Sequence, residues 1–391
     1  MKKDNFIFYT FLIIIFGIFI YVPIKQVLIS LHIIDFYKSD NWKLVEKSDD
    51  YIYDKIMSLE ANIENRYDNY FPFYEHINGA FYNSIINIDS IYLKDIYLKD
   101  NIDMDRIFYS KENDFLYLVN RYSYEELDNR LNTQVDFYNS INNKYPDINL
   151  AIYVPLRYEF TGIQNINNTS KLIELFTSKL NNGINYKLFE TNNIKEYLKY
   201  YYKSDHHYNS YGAKIAYDEI IKMYNLDNKY QEVEHKLVHE PYYGSMAKST
   251  LLKNVADNFT VMDIPNNLKV NIKDKSFKPL NMSNHSNPFY DYYVGYFNSS
   301  FDEIIYTNNT NTNKNLLIFG DSMGWQIDYM LANSFDNTYV VNIKYGKWQD
   351  NSLNLDKYIK QHNITHILFL RVSNNTIFDT DNYHIEKKVN V

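Results

Sequence analysis

Ser322 closes the run Leu316-Leu317-Ile318-Phe319-Gly320-Asp321-Ser322, an apolar stretch that ends in a glycine and an acid. A serine hydroxyl is a weak nucleophile at neutral pH. It needs an imidazole to take its proton and a carboxylate to hold that imidazole in the right tautomer. Asp205-His206-His207 supplies both groups. In an extended loop, side chains two positions apart point to one side, so Asp205 pairs with His207 and His206 faces away. His207 is therefore preferred over His206 as the base. Each motif alone has a plainer structural reading, for Gly-Asp-Ser a turn with a helix cap. Their joint presence, each at the entrance to a helix, argues for a nucleophilic site.

The elements around these motifs must place them. Leu316–Phe319 reads as a short buried strand, followed by a helix from about Trp325 to Asn333. Tyr339–Ile343 is a second strand, Leu353–His362 a helix and His366–Leu370 a third strand. This β-α-β-α-β run over residues 316–370 predicts a parallel sheet with helices on its faces, which carries its chemistry at the carboxyl ends of its strands. Further upstream, Leu127, Leu131, Val135, Tyr138 and Ile141 recur at helical spacing, and Tyr145-Pro146-Asp147 ends that helix. Asn149–Leu156 reads as a strand closed by Pro155, Ser170–Leu180 as a helix and Tyr186–Phe189 as a strand. The segment from Ser210 carries Ala213, Ala216, Tyr217, Ile220, Ile221 and Tyr224 on one face, with Asn209 or Ser210 as its cap. Asp205-His206-His207 thus precedes a helix. Residues 230–310 are polar and turn-rich with short strand-like runs such as Phe259–Ile264. They read as an insertion or a small β-rich subregion.

Composition narrows the function. The chain has 391 residues, 41 of them Tyr and 24 Phe, enough apolar material for a large core. Its formal net charge is −8 with no Lys/Arg-rich block, which argues against nucleic acid as a partner. It has no cysteine, so disulfides, thiolate metal sites and cysteine nucleophiles are excluded. No Gly-rich phosphate loop is present, and neither a cofactor nor a metal is expected.

Phe6–Val22 is uncharged over 17 residues, with Lys2 and Lys3 before it and Pro23 and Lys25 after it. As a helix it spans about 25 Å, near the lower limit for a bilayer core. No small-x-small cleavage site follows, so an uncleaved anchor is preferred over a signal peptide or a buried helix. The two lysines favour a cytoplasmic N-terminus with the bulk of the chain outside. The expected organisation is an anchor over 1–34, a juxtamembrane region over 35–100, and a catalytic domain over 101–391 with the insertion near 230–310.

Other motifs carry less. His235 and His239, four apart beside Glu234 and Glu240, would make half a metal site on a helix, but no third ligand is apparent and a solvated polar segment is preferred. Arg157, just after the strand ending at Pro155, suits either an anionic substrate group or a surface salt bridge, and the salt bridge is preferred. The adjacent copies of Tyr-Leu-Lys-Asp at 92–95 and 97–100 are too short for a repeat architecture.

The tract Lys203-Ser204-Asp205-His206-His207-Tyr208 to Gly212-Ala213 resembles the signature of bacterial DHHW proteins, with tyrosine in place of the tryptophan. That family is similar to the AlgX/AlgJ proteins of alginate O-acetylation, within the SGNH hydrolase-like superfamily. Further matches are Tyr243-Gly244-Ser245-Met246-Ala247, Asp291-Tyr292-Tyr293, Leu316–Ser322 and Val340–Tyr345. They run in order over roughly residues 115–375. The resemblance implies an α/β fold, an SGNH-like three-layer α/β/α sandwich with a parallel sheet, here preceded by an N-terminal transmembrane helix. It also implies that the Asp-x-His element precedes the serine, with Ser322 as nucleophile, His207 as base and Asp205 as orienting acid. Tyr208 departs from the pattern at the pocket rim, and Trp325 stands where relatives often have a small or polar residue. The Ser322 N–H is one expected oxyanion donor. Gly324 and Asn342 are candidates for a second.

These readings together point to a membrane-anchored, extracytoplasmic serine O-acyltransferase or esterase acting on a cell-surface polysaccharide. For transfer, the resemblance implies acetyl as the group and a multi-spanning membrane O-acyltransferase as partner. The alternative is a non-catalytic surface polysaccharide assembly or binding protein that keeps the fold, an idea supported by Tyr208 and Trp325.

Overall fold

The computed structural model describes residues 74–391 apart from 90, 92, 101–104, 121, 158–160, 162–168, 228–232, 264–268, 273–286, 298–300, 309–310, 346 and 380–383. The expected anchor over 1–34 lies outside the described residues. Among the described residues, no helix is long and apolar enough to cross a membrane.

The chain runs from helix α1 (Tyr74–Asp89) into strands β1 (Asp95–Asp100), β2 (Asp105–Ser110) and β3 (Phe115–Asn120), which pair as an antiparallel sheet. This sheet crosses residue 100, where the juxtamembrane region was expected to end. Helix α2 (Tyr124–Lys144) opens on a capping box in which Ser123 and Glu126 satisfy each other's backbone N–H. Then follow β4 (Asn149–Pro155), α3 (Thr169–Lys179), β5 (Asn185–Phe189), α4 (Ile194–Tyr200) and α5 (Ser210–Met223). Asn209 caps α5 through its side chain. The expected insertion holds β6 (His235–Tyr242), α6 (Ser245–Thr250), β7 (Asp257–Met262), β8 (Lys269–Ile272), α7 (Tyr292–Phe297) and β9 (Glu303–Thr307). The last part of the chain carries β10 (Asn315–Gly320), β11 (Asn337–Val341), the two-residue β12 (Leu353–Asn354), α8 (Leu355–His362) and β13 (His366–Leu370), with shorter helical turns between them.

The main sheet has seven strands in the order β5-β4-β13-β10-β11-β9-β8. Strands β5, β4, β13, β10 and β11 pair in parallel, as the sequence pattern predicts. The edge departs from that expectation. Strand β9 joins β11 antiparallel and β8 joins β9 antiparallel, so part of residues 230–310 completes the sheet rather than standing outside it. Strands of four and five residues carry too short a pattern to be placed in a sheet by it, and their pairing reveals this role.

Alternation along the central strands builds two cores. Leu316 and Ile318 face one cluster with Ala213, Ala216, Tyr217 and Ile220 of α5. Leu317 and Phe319 face the other, with Leu131 and Tyr138 of α2, Phe176 of α3 and Leu355 of α8. Helices therefore cover both faces of a sheet buried on both sides, which explains why β10 and β13 read as continuous apolar runs. Truncating fully buried Ile318 to alanine would cost about 2–5 kcal/mol.

The helix expected over 325–333 is broken. A 3-10 turn at Gly324–Gln326, a four-residue α-helix at Asp328–Leu331 and a second 3-10 turn at Ala332–Ser334 replace it. The segment folds into the core on the face that α5 covers, and every residue from Met323 to Phe335 is buried.

Candidate active site

Four parallel strands deliver residues to one pocket at their carboxyl ends. Arg157 follows β4, Arg371 follows β13, Ser322 follows β10 and Asn342 follows β11, and all four line a cavity of about 210 Å³. Strand β10 has β11 on one side and β13 on the other, so the connections diverge there, the place where α/β sheets open a crevice.

Ser322 Oγ lies 2.7 Å from His207 Nε2, and His207 Nδ1 lies 2.7 Å from Asp205 Oδ1. An ionised carboxylate only accepts, so Nδ1 carries the imidazole proton and Nε2 accepts from the serine hydroxyl. Asp205 is held on every side. Its Oδ1 also takes the His207 N–H at 3.2 Å and the Ser245 hydroxyl at 3.2 Å, while Oδ2 takes the Ser245 N–H at 2.7 Å and the Tyr242 hydroxyl at 2.8 Å. Burial opposes its charge, but His207 and the Ser245 N–H outweigh that cost and hold the carboxyl well below the usual range.

The loop that carries Asp205 and His207 is a closed turn, not an extended strand. Tyr201 and Tyr208 bridge its ends, and the Tyr202 N–H bonds the His207 carbonyl at 3.2 Å. Asp257 of β7 fastens its start, accepting from the Lys203 N–H (2.9 Å), the Ser204 N–H (2.8 Å) and the Ser204 hydroxyl (2.5 Å). The second and third N–H groups of α6 donate to the Ser204 carbonyl, from Met246 at 3.1 Å and Ala247 at 3.2 Å. Gly244 permits this approach, because a Cβ there would stand 2.3 Å from the Asp205 Cβ.

This turn corrects the expectation for His206. It does not face away from Asp205: its Nδ1 lies 3.3 Å from Asp205 Oδ1 and 3.0 Å from Ser245 Oγ, and its ring is 4.0 Å from that of His207. The alternation argument fails because residues 203–207 bend. His207 is nonetheless the imidazole that reaches Ser322.

The serine turn has its own braces. Asp321 Oδ1 accepts the Met323 N–H at 2.9 Å, and Oδ2 accepts the Val372 N–H and the Asn375 amide, both at 3.0 Å. Tyr293 stacks on the His207 ring at 4.0 Å and 14°, and its hydroxyl donates to the Ser322 carbonyl at 2.7 Å. Burial keeps that phenol protonated, well above its ordinary range. Trp325 lines the pocket behind Tyr293, with ring centroids 5.7 Å apart.

Several expected roles move. Tyr208 is not at the rim. It is fully buried and its hydroxyl donates to the Met323 carbonyl beneath the serine turn. The Gly324 N–H is spent on the Asp321 carbonyl at 3.0 Å, which removes it as an oxyanion donor. Asn342 lines the pocket, and its Oδ1 accepts the Lys344 N–H at 3.1 Å, leaving its amide nitrogen as the donor. Arg157 is 5% exposed and belongs to the pocket wall rather than the surface. His235 and His239 lie on strand β6, not on a helix. His235 stacks on Tyr211 and His239 on Tyr292, so they do not converge.

Two groups among the described residues bring three ligand-type atoms within 4.8 Å: Asp205-His206-His207, and Asp379-His384-Glu386. In the first, the Nδ1 atoms of both histidines lie within hydrogen-bond distance of Asp205 or Ser245 oxygens, at 2.7 Å for His207 and 3.0 Å for His206, a hydrogen-bonded arrangement. In the second, Arg371 already stands 3.9 Å from Asp379. Tyr242, Gly244, Ser245, Asp257, Tyr293 and Asn375 received no role from the sequence. The matched tracts Tyr243–Ala247 and Asp291–Tyr293 were the only signal for some of them.

No family model matches the sequence, and no curated protein is similar to it in sequence. Solved structures are similar in fold. Bacillus cereus PatB1 with a sulfonyl adduct matches at a TM-score of 0.56 and 16% identity, over 73% of this chain and 99% of its own. A DHHW family protein from Eubacterium siraeum matches at 0.54 and 17% identity, over 74% and 97%. The O-acetyltransferase domain of Pseudomonas putida AlgJ, at 0.41 and 12% identity over 70% and 92%, is too distant to establish a shared fold. The chain therefore has the α/β fold, with a mostly parallel sheet, of a DHHW family protein and of PatB1. The resemblance read from the sequence meets a DHHW protein of the same fold.

Proposed function

We propose that this chain is a serine acyltransferase or esterase that works through Asp205, His207 and Ser322. The observation that carries the reading is the unbroken hydrogen-bond relay, 2.7 Å at each step, ending at a serine in a pocket. Ser322 Oγ attacks the acyl carbonyl of the donor as its proton passes to His207 Nε2. The oxyanion is received by the Ser322 N–H and the Asn342 amide. Collapse breaks the bond to the leaving group, which takes the proton from His207, and leaves an acyl-serine. An acceptor hydroxyl then gives its proton to His207 and attacks the acyl carbon, and Ser322 is released. Asp205 stabilises the imidazolium in both halves without taking its proton.

The small cavity suits a short acyl group such as acetyl, below the size of pockets that hold drug-sized ligands. In this reading Phe6–Val22 anchors the chain with its catalytic domain outside the cell membrane, the acceptor is a cell-surface polysaccharide, and a membrane-bound O-acyltransferase delivers the acyl group. The AlgJ neighbour is named as an O-acetyltransferase domain, and PatB1 carries a sulfonyl adduct, the kind of mark that sulfonyl electrophiles leave on activated nucleophiles. Only the PatB1 match is close enough to weigh. A non-catalytic scaffold would draw its support from Tyr208 and Trp325. Here the first braces the serine turn and the second backs Tyr293, so neither change removes the site.

The test is hydrolysis of an aryl acetate by the wild-type protein beside Ser322→Ala and His207→Ala. Loss of at least about a thousandfold in both variants, with circular dichroism unchanged, is expected. Equal rates in all three would refute the reading.

A further inference from the structure

We propose that His206 binds the acceptor: its Nε2 takes a hydrogen bond from the hydroxyl next to the one that is acylated, so the site selects vicinal diols. The inference rests on the acyl-transfer reading above and adds the chemistry of the acceptor.

The hydrogen-bond network sets the tautomer of this ring. Asp205 is a carboxylate and only accepts. The Ser245 hydroxyl donates to Asp205 Oδ1 at 3.2 Å, which leaves Ser245 Oγ as an acceptor toward His206 Nδ1 at 3.0 Å. Nδ1 also faces Asp205 Oδ1 itself, at 3.3 Å. Both neighbours of Nδ1 accept, so the ring proton resides there and Nε2 presents a lone pair. Burial first, and then the electrostatic influence of the neighbouring His207, push His206 down to about 3, with Asp205 acting the other way, so the ring is neutral in use.

Its position fits an acceptor rather than a structural strut. His206 lines the same cavity as Ser322, and its side chain is 29% exposed against 7% for His207. The two imidazole rings lie 4.0 Å apart at a tilt of 36°. Neighbouring hydroxyls on a sugar ring sit on adjacent carbons, and two imidazoles packed side by side in one cavity offer an acceptor to each. The reacting hydroxyl has a single proton, and that proton goes to His207 Nε2 as its oxygen bonds to the acyl carbon and the Ser322 Oγ–carbon bond breaks. His207 then returns a proton to Ser322 Oγ. The second hydroxyl stays intact and orients the sugar through His206. An alcohol with no neighbouring hydroxyl makes one of these contacts, not both.

The experiment uses the full chain in detergent with an aryl acetate as donor. trans-Cyclohexane-1,2-diol and its mono-methyl ether are the competing acceptors, and ester products are measured against free acetate. The burst of phenolate reports acylation of Ser322 separately. Wild type is expected to favour the diol by about tenfold, the worth of one neutral hydrogen bond. His206→Ala should erase that preference, and His206→Gln, which restores an accepting oxygen, should recover part of it. A wild-type enzyme indifferent to the second hydroxyl, or a preference that survives His206→Ala, overturns the proposal. A wild type with no burst overturns the acyl-transfer reading instead, and this inference with it.

Discussion

Ser322 and His207 meet at 2.7 Å, yet the chain places them by different means. Ser322 follows directly from β10. Its turn is braced from the sheet by Asp321, which reaches the start of the segment after β13, and from outside the sheet by Tyr208 and Tyr293 on successive carbonyls. Asp205 and His207 stand on a closed loop outside the main sheet, held by residues on or beside β6, α6 and β7. Tyr242 is 37 residues from Asp205, Ser245 is 40, and Asp257 is 54 from Lys203. One half of the site is a property of a strand end. The other half exists only when β6, α6 and β7 close over the loop, so it is more exposed to changes in packing that leave the sheet intact.

That contrast can be broken most forcefully at the carboxylate. Asp205→Asn keeps the size of the side chain but can present an amide N–H to His207 and upset its tautomer. We expect kcat for ester hydrolysis to fall about 10³- to 10⁴-fold with little change in fold. A fall below tenfold would mean that the loop, not the charge of Asp205, orients His207.

Next in size is Gly244→Ala. The new methyl must displace Asp205, so kcat should drop about a hundredfold and stability by about 1–3 kcal/mol. Gly320→Ala, at the serine half, meets nothing nearer than 3.6 Å and should have a far smaller effect on stability. Equal losses in urea unfolding would erase the contrast drawn here.

The smallest effect on catalysis concerns Asp328, buried close to Gly324 after the serine turn. Burial, with Asp321 adding to it, pushes its carboxyl up to about 7. The native state therefore holds a proton between about pH 4 and 7 that the unfolded chain releases, so this group costs stability as pH rises through that window. The slope is at most about 1.4 kcal/mol per pH unit. Asp328→Asn should match wild type at pH 4 and be more stable at pH 8. Parallel pH profiles of Tm for the two proteins would count against a protonated Asp328.

Much of the sheet was legible because its signals are local. Leu316–Phe319 and His366–Leu370 are apolar throughout since both faces of those strands are covered, and a glycine and acid mark where β10 stops. The stripe of α2, Leu127 to Ile141, was legible for the same reason. Residues 203–207 were not, because alternation holds only for an extended backbone, and Asp257 and Asp205 bend this loop by accepting its N–H groups. The burial of Tyr208 and Arg157 and the spending of the Gly324 N–H depend on partners distant in sequence or on a tightened turn. No period or spacing records them. Strands β8 and β9 escaped for a related reason, since only the antiparallel pairing of β9 with β11, and of β8 with β9, ties them to the sheet.

Labelling with an aryl sulfonyl fluoride tests the central claim most directly. The full chain is treated, digested and mapped by mass spectrometry, beside His207→Ala. The account predicts a single adduct, on Ser322, formed at least about a thousandfold more slowly without His207. An adduct on another residue, or labelling of Ser322 at the same rate in the variant, would contradict a nucleophile activated by His207.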